Sequence, residues 1–231
     1  MKVGIMQPYF MPYLGYFQLL NLVDRFVIYD NIQYTKKGWI NRNRIILNGE
    51  ISTISIPLKK GSDFLNINER YLAENWDREK IKLINKLRQA YIKAPNYSVF
   101  FPIIEEILNE ENKNLFEFIF NSIIKIKEFL EIKTEIIVSS HLKVNHDLKS
   151  QDKVLEICNN LGAKSYYNSI GGENLYSKES FDKENIDLNF IKVNDIKYND
   201  SNSHLSIIDV IMHNSRSELN DLLNQFSMIK P

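Results

Sequence analysis

The sequence lacks the features that mark several specialised classes of protein. It has one cysteine, Cys158, so no disulfide can form within the chain. Lys and Arg number 29, as do Asp and Glu, and a zero formal net charge argues against general nucleic-acid binding. No apolar run approaches the roughly 18–20 residues of a membrane span. The chain also begins without a basic segment ahead of an apolar one, so we expect no signal peptide and a cytoplasmic protein.

The sequence also lacks histidines at the spacing of metal ligands, and it lacks an obvious linker between domains. His141, His146 and His213 are not spaced as metal ligands, and we predict no zinc site. No internal repeat, low-complexity tract or obvious linker divides the 231 residues. We therefore expect a single α/β domain over residues 1–231, within which residues 62–132 form a helical insertion or cap.

What the chain does contain is an alternation of strand and helix patterns. Apolar runs at residues 2–6 and 25–29 flank a helical repeat of apolar side chains at 13–23, which predicts a βαβ unit. Asn48-Gly49 between apolar runs predicts an antiparallel β-hairpin at about 39–47 and 50–56.

The rest of the chain continues this alternation. Its predicted elements are helices at 77–93 (with Asp77 as N-cap), 101–108 and 115–130, a strand at 135–139, a helix at 150–161, a strand at 165–169, short helices near 175 and at 177–184, a strand at 188–193, a polar loop at 195–203, and helices at 204–213 and 218–226. The pattern predicts an α/β fold with a mainly parallel, Rossmann-like sheet flanked by helices. The hairpin and the cap are inserted after the first βαβ unit.

The turn between the first strand and helix is the first candidate binding segment. In a parallel sheet it lies at the carboxyl edge of the strands, where ligands bind, and the helix start offers free N–H groups. We take Gln7, Tyr9 and Tyr13 as candidate ligand contacts, and Gly15 as a point of close ligand approach. The alternative is that the aromatic side chains of this turn pack over the sheet, which we favour for Phe10 and Phe17.

Polar and aromatic residues then follow the second strand. Asp30 stands at its end, where a carboxylate can accept a proton or orient a substrate amine; capping of the following turn is the alternative. Arg42 and Arg44 alternate along the hairpin strand, so they share a face and can hold phosphate. Trp39 offers a stacking surface, and a solubilising charged hairpin is the alternative interpretation. Further candidates from this region and the hairpin end are Gln33, Tyr34, Lys36, Asn41 and Lys59.

Two later segments carry candidate site residues. Gly171-Gly172 follows a strand, and with Asn168 these glycines could form a backbone cradle for phosphate, or simply a turn. His204 at a helix start could be a neutral base. Asp209 lies among isoleucines, where a carboxylate needs a partner, so it is either catalytic or held by a structural hydrogen bond. Cys158 is predicted to lie in the core.

Taken together, these segments resemble the WbqC-like family of bacterial O-antigen and surface-polysaccharide biosynthesis. The matching stretches are GIMQPYFMPYLGYFQLL at 4–20, DRFVIYDNIQYTKKGWINRNRI at 24–45, ISIPLKK at 54–60, YYNSIGGENLY at 166–176 and HLSIIDVIMHNS at 204–215. The resemblance implies a tailoring enzyme, a transferase acting on a dTDP- or UDP-linked amino sugar. The implied reaction is N-acylation of the sugar amine by an acyl or aminoacyl group such as glycyl.

That implied reaction sets expectations for cofactors and partners. A free acid would require ATP with its Mg²⁺, whereas a thioester or aminoacyl-tRNA donor would not; no other metal is expected. The base would be Asp30 or His204, because an amine must lose its proton to attack. A homodimer is compatible with the sequence.

A second likeness bears on mechanism. Tyr13-Leu14-Gly15-Tyr16 is similar in position to the His-x-Gly-His turn of nucleotidylyltransferases and pantoate-type ligases, which bind ATP there. Tyrosine cannot supply imidazolium-like charge, so the fold analogy does not carry the chemistry with it. Two other functions stay open: a nucleotidylyltransferase that makes a nucleotide-sugar, and a non-catalytic module that binds one.

Overall fold

A computed structural model of the chain describes residues 1–194 and 204–231. The predicted polar loop at 195–203 lies outside the described residues. The strands are β1 Lys2–Met6, β2 Arg25–Ile28, β3 Arg42–Leu47, β4 Glu50–Ser55, β5 Glu135–Val138, β6 Ser165–Ser169, β7 Asp187–Val193 and β8 Phe226–Ile229. The α-helices are α1 Leu14–Leu22, α2 Trp76–Tyr91, α3 Tyr97–Leu108, α4 Leu115–Phe129, α5 Ser150–Leu161, α6 Lys178–Lys183, α7 Ile207–His213 and α8 Arg216–Asn224. Short 3₁₀ helices are Ile67–Glu69, Ser139–His141 and Ile170–Leu175.

The central sheet has six strands in the order β5-β2-β1-β6-β7-β8. Its first five strands are parallel, and β8 runs antiparallel to β7. The hairpin of β3 and β4 forms a separate two-stranded sheet. The predicted α/β class, with a mainly parallel sheet and a separate hairpin, is confirmed.

The strand order defines where a ligand site is expected. Connections from β1 lead outward to β2 and β5 on one side, and β6 and β7 lie on the other side. The order therefore reverses between β1 and β6, and the crevice at the carboxyl ends of these two strands is the place where open α/β sheets bind ligands. The register pairs Met6 with Ile28 and Ile28 with Val138, so β1, β2 and β5 end together at this edge.

Helices cover both faces of the sheet because alternate strand residues are apolar on each face. One core cluster contains Phe17 of α1, Phe26 of β2 and buried side chains of α2, α3, α4, α7 and α8. The other contains Val27, Cys158 of α5 and Phe181 of α6. Cys158 is fully buried, as predicted. None of the described helices is both long enough and apolar enough to cross a membrane.

The structure corrects several element predictions. Helix α7 begins at Ile207 with Ser206 as N-cap, so His204 precedes the helix and does not stand at its start as predicted. Strand β3 begins at Arg42, so Trp39 lies before the hairpin strand.

Helix α2 begins at Trp76 with Asn75 as N-cap, so Asp77 lies inside its first turn instead of capping it. Helix α3 begins at Tyr97, four residues before the predicted start, and contains Pro102. Strand β8 was missed, because a helix was predicted to continue to residue 226. This strand has four residues with no fully buried side chain, and its pairing with β7 is a tertiary contact.

Candidate functional site

The turn after β1 is held by three segments of the chain. Met11 has a left-handed backbone (φ 44°), and its carbonyl oxygen accepts hydrogen bonds from Asn43 Nδ2 at 2.6 Å and Ser206 Oγ at 2.8 Å. The Phe10 N–H donates to the Ile40 carbonyl at 2.9 Å. The hairpin and the start of α7 are therefore fixed against the first turn, and the candidate site is assembled from all three.

Helix α1 begins at this edge. Tyr13 occupies the N-cap position without a capping side-chain hydrogen bond, and the first turn has no acidic residue, so the positive end of the helix dipole meets no carboxylate of its own first turn. The Tyr16 N–H donates to the Tyr13 carbonyl at 3.1 Å. Tyr13 is hydrogen-bonded to Ser169 at the end of β6, and its ring centroid lies 6.2 Å from that of His204. His204 is exposed. The structure thus brings three polar side chains to the point where the strand order reverses.

Burial keeps the Tyr13 hydroxyl protonated. Desolvation raises the pKa of Tyr13 above its usual value, and the hydrogen bond to Ser169 only partly opposes that effect. A protonated hydroxyl can donate to a carbonyl or hydroxyl oxygen of a ligand. Tyr13 therefore suits positioning, and it does not supply positive charge.

Gly15 is required by packing at this turn. A Cβ on Gly15 would lie 2.4 Å from Cε2 of Tyr13 and 2.5 Å from Cγ2 of Val193. Both distances are far below van der Waals contact. In the structure, Gly15 makes room for the Tyr13 ring, whereas the sequence had suggested close approach by a ligand.

Tyr9 and Tyr16 have different positions relative to the edge. Burial, and secondly the neighbouring Tyr13, raise the pKa of Tyr9 to about 12. The rings of Tyr9 and Tyr16 lie 5.9 Å apart. Tyr16 is fully buried, and its hydroxyl has no hydrogen-bond partner within the described part of the chain. Of the Tyr13/Tyr16 pair, only Tyr13 is placed to meet a ligand; Gln7 and Tyr9 lie half-buried beside it.

Arg42 and Arg44 flank Trp39 but differ in their hydrogen bonds. Their guanidinium carbons lie 5.3 Å and 4.9 Å from the centroid of the Trp39 ring. Arg42 donates from Nε to the Gly38 carbonyl at 2.9 Å and from Nη2 to the Lys37 carbonyl at 2.6 Å, so it fixes its own loop. Arg44 Nε is buried and has no acceptor among residues 1–194 and 204–231. Of the two arginines, Arg44 is therefore the one whose N–H donors can bind a ligand. The Trp39 ring already makes cation–π contacts with both guanidinium groups.

Asp30 is held at both carboxylate oxygens. It is 2% exposed; Oδ1 accepts from the Ser140 N–H at 2.9 Å and Oδ2 accepts from Asn68 Nδ2 at 2.8 Å. These bonds tie the end of β2 to the end of β5 and to the 3₁₀ helix Ile67–Glu69. This geometry gives Asp30 a structural role, in line with the turn-capping alternative.

Other predicted residues of this region are occupied by hydrogen bonds or ion pairs with neighbouring residues. Gln33 donates to the Asp63 carbonyl at 2.8 Å, and Lys36 forms a 2.6 Å ion pair with Asp63. Tyr34 is buried and donates to Asn41 Oδ1 at 2.8 Å. The Asn41 amide in turn donates to the Ile56 carbonyl at 2.8 Å.

Lys59 lies on a separate surface cavity, which has a volume of about 420 Å³. Its Nζ is 3.8 Å from the Glu74 carboxylate, and both side chains are exposed. The cavity is lined by residues 59, 71–74 and 113. No contact of the structure links Lys59 to the first turn, so it is outside the candidate site.

Asn168 shapes the turn that follows β6. Its Nδ2 donates to the hydroxyls of Tyr166 at 2.9 Å and Tyr176 at 3.0 Å, and its Oδ1 accepts from the Ser169 N–H at 2.7 Å. A Cβ on Gly172 would lie 3.3 Å from Asn168 Nδ2, whereas a Cβ on the exposed Gly171 would meet only Ser169 Oγ, at 4.0 Å. Asn168 and Gly172 therefore position the 3₁₀ turn Ile170–Leu175, and Gly171 is the accessible glycine.

Asp209 is buried in the first turn of α7. It is 1% exposed, and the Tyr91 hydroxyl of α2 donates to its Oδ1 at 3.2 Å. This contact supplies the partner that a buried carboxylate requires. We place Asp209 in the core between α2 and α7, in line with the structural alternative.

The sequence analysis missed Lys153 and the residues around it. Lys153, in the first turns of α5, is 4% exposed at the carboxyl edge, and its Nζ lies 3.3 Å from Asn31 Oδ1. Asn31 Nδ2 also contacts His146 Nδ1 at 2.9 Å. The available signal was a lysine directly before the buried stripe that starts at Val154. Among the described residues, no group of three His, Cys, Asp or Glu side chains could hold a metal ion.

Comparison with known proteins gives a family. A family model described as the WbqC-like protein family matches residues 7–221, and the chain belongs to that family. The chain is also 27% identical over 188 residues, covering 78% of both chains, to a Mycobacterium tuberculosis (strain ATCC 25618 / H37Rv) protein described as "Uncharacterized protein Rv1507c". No solved structure matches the chain significantly.

Proposed function

We propose that this member of the WbqC-like protein family is a cytoplasmic enzyme that forms an amide on the amine of a nucleotide-linked amino sugar. The sugar nucleotide, of the dTDP or UDP type, would lie across the carboxyl ends of β1 and β6. The acyl or aminoacyl group, such as glycyl, would come from an activated donor: an acyl-adenylate made with ATP and Mg²⁺, a thioester or an aminoacyl-tRNA. The expected product is a building block for surface glycans such as O-antigen.

The observation that carries this proposal is the unsatisfied guanidinium of Arg44. Its Nε is buried without an acceptor among the described residues, although buried donors are nearly always paired. The strand that bears Arg44 is anchored to the first turn through the neighbouring Asn43. The Arg44 side chain lies on the strand face opposite to Asn43, with its guanidinium carbon 4.9 Å from the centroid of the Trp39 ring. A phosphate oxygen of the sugar nucleotide, bound beside Trp39, would supply the missing acceptor.

The chemistry assigned to this edge is proton removal and positioning. The sugar amine attacks the acyl carbonyl carbon, a C–N bond forms, and the donor's leaving group departs with its electron pair. His204 is exposed beside Tyr13 and accepts the proton that the amine must lose. Tyr13 donates a hydrogen bond to the substrate. Asp30 has both oxygens occupied, so we assign the base role to His204.

The test is a product assay with defined substrates. Purified protein is incubated with a panel of dTDP- and UDP-linked amino sugars, each with glycine and ATP, with a glycyl thioester or with glycyl-tRNA. Mass spectrometry should show an N-glycyl sugar nucleotide with one donor, and His204→Gln should lower its rate. Absence of an amide product from every combination contradicts the proposal.

Two controls separate the alternative functions. Steady pyrophosphate release from a sugar-1-phosphate and a nucleoside triphosphate would identify a nucleotidylyltransferase. A binding module would bind the sugar nucleotide, yet His204→Gln would leave glycan products in cells unchanged.

A further inference from the structure

Lys153 is a buried cation whose hydrogen-bonding capacity is largely unused. Its side chain has three N–H donors, and the contact at 3.3 Å to Asn31 Oδ1 is its one hydrogen bond within the described residues. Its Nζ also lies 5.2 Å from the ring centroid of Tyr29. No carboxylate of the described residues lies within ion-pair distance. Buried lysines are rare unless they are paired.

Two other donors without partners lie at the same edge of the sheet. Ser139 is fully buried at the end of β5, and its Oγ has no hydrogen-bond partner among the described residues. The Tyr29 hydroxyl, from the residue after β2, is buried and unpartnered in the same sense. Because the register pairs Ile28 with Val138, Ser139 lies beside Tyr29. Three hydrogen-bond donors therefore lie at this edge: Tyr29 after β2, Ser139 after β5, and Lys153 in the first turns of α5.

Among the described residues, the charged groups near Lys153 do not satisfy its remaining hydrogen-bond donors. Desolvation lowers the pKa of Lys153, and the charge of Asp30 opposes that shift. The Asp30 oxygens accept hydrogen bonds from Ser140 and Asn68. His146 contacts Asn31 through Nδ1 and the Leu142 carbonyl through Nε2, so it contacts Lys153 only through Asn31.

We propose that Lys153 is the centre of a second anion-binding subsite, which holds a carboxylate or phosphate oxygen of the second substrate. The Ser139 hydroxyl at the end of β5 would be a further donor, and the Tyr29 ring would form one wall of the subsite. The subsite lies on the β2–β5 side of β1, whereas Tyr13, Ser169 and His204 lie on the β6 side. This inference rests on the proposed function, because it assigns the first subsite to the sugar nucleotide and the second to the acyl donor. The two substrates would approach from the two sides of the first turn, so that the donor's acyl group and the sugar amine meet at the carboxyl edge.

Calorimetric titration tests the subsite without any turnover. Wild-type protein, Lys153→Met, Arg44→Gln and the control Lys149→Met are titrated with glycine in one arm and with inorganic phosphate in the other. The arm that gives binding shows whether the anion is a carboxylate or a phosphate. We expect Lys153→Met to weaken that binding by about tenfold or more, the loss typical of a charge-assisted hydrogen bond. Lys149→Met should retain it, since Lys149 is an exposed lysine next to the same helix. Arg44→Gln removes only phosphate binding at the first subsite and should keep the binding that Lys153→Met loses.

Several outcomes contradict the subsite. These are wild-type affinity for both anions in Lys153→Met, no binding of either anion by wild-type protein, or equal losses in Lys153→Met and Arg44→Gln. If Lys153→Met does not fold, the Nζ signal of Lys153 in ¹⁵N-labelled protein, assigned by its disappearance in Lys153→Arg, is followed instead; a signal that does not move with either anion overturns the proposal. Absence of an amide product with anion binding intact would reject the proposed function alone.

Discussion

Asn43 of the hairpin donates a 2.6 Å hydrogen bond to the carbonyl oxygen of Met11, a buried residue in the left-handed backbone region. A side chain other than glycine is uncommon in that region, and such a conformation persists only when surrounding contacts determine it. Asn43 Nδ2 also lies 3.2 Å from the Phe10 carbonyl. The relationship explains how a hairpin outside the main sheet is fixed to the turn that begins the site.

Replacement of Asn43 by Ala should therefore destabilise the protein. Two buried carbonyl groups lose a donor, and we expect the free energy of unfolding to fall by about 1–3 kcal/mol. Urea denaturation measures this change. Asn220→Ala, at an exposed position of α8, is the control and should change stability by less than about 0.5 kcal/mol. Equal stability of the two variants would show that Asn43 does not hold the turn.

Arg44 should be more important than Arg42 for sugar-nucleotide binding. Arg44→Gln removes the guanidinium whose Nε has no acceptor among the described residues, and we expect affinity to fall by roughly 10- to 100-fold, the range for hydrogen bonds to charged groups. Calorimetry with the sugar nucleotide that the wild type binds best gives the measurement. Arg78→Gln, an exposed arginine of α2, is the matched control. Unchanged affinity in Arg44→Gln would remove the observation on which the proposed function rests.

Gly15→Ala should strain the first turn. Its Cβ would overlap the Tyr13 ring and Val193, so one of them must move, and overpacking of this kind costs about 1–3 kcal/mol. Gly171→Ala provides a comparison of stability, because the nearest atom to its Cβ is Ser169 Oγ at 4.0 Å. Thermal unfolding should separate the two variants clearly. Should Gly15→Ala be as stable as Gly171→Ala, the ring packing would not be the reason for glycine at this position.

Replacement of Asp30 should mainly lower stability, whereas replacement of His204 should mainly lower the rate of amide formation. Asp30→Ala removes the acceptor of two buried hydrogen bonds, so stability should fall by about 2–4 kcal/mol. His204→Gln changes an exposed side chain, so stability should stay within about 0.5 kcal/mol while the rate of amide formation falls by roughly 10²- to 10⁴-fold. Urea denaturation and the product assay measure the two effects. A stable Asp30→Ala protein with a large loss of rate would reverse this assignment.

Tyr9 should make the protein sensitive to alkaline pH. Its folded-state pKa is raised from the ordinary 10.0 to about 12, so folding favours the protonated hydroxyl. That contribution is fully present below pH 10.0 and is lost as pH rises from 10.0 to about 12, because the unfolded chain releases the proton first. Tyr9→Phe should lose less stability than wild type over this interval. Parallel losses in urea denaturation at several pH values would contradict the raised pKa.

The fold class could be predicted because it depends on local patterns. Alternating strand and helix repeats, and the Asn48-Gly49 turn, gave a mainly parallel sheet and a separate hairpin. Strand β8 could not be predicted in this way, since its short exposed pattern gains stability only from pairing with β7. The start of helix α3 was not predictable either, because its first turn directly follows a proline-containing segment that the local pattern marks as a break.

The placement of the candidate residues at one edge of the sheet was predictable, but the contacts of each side chain were not. The sequence by itself determined which residues follow β1, β2 and β6, and strand direction places those residues at one edge. Tertiary contacts decided which groups are occupied: both oxygens of Asp30 and the donors of Arg42 are hydrogen-bonded, and Asp209 is buried against Tyr91. Arg44 Nε has no acceptor among the described residues. Tertiary contacts likewise placed Lys153 at the carboxyl edge of the sheet. Hydrogen-bond satisfaction and burial depend on residues distant in the chain, so only the tertiary structure could decide which polar groups are available to a ligand.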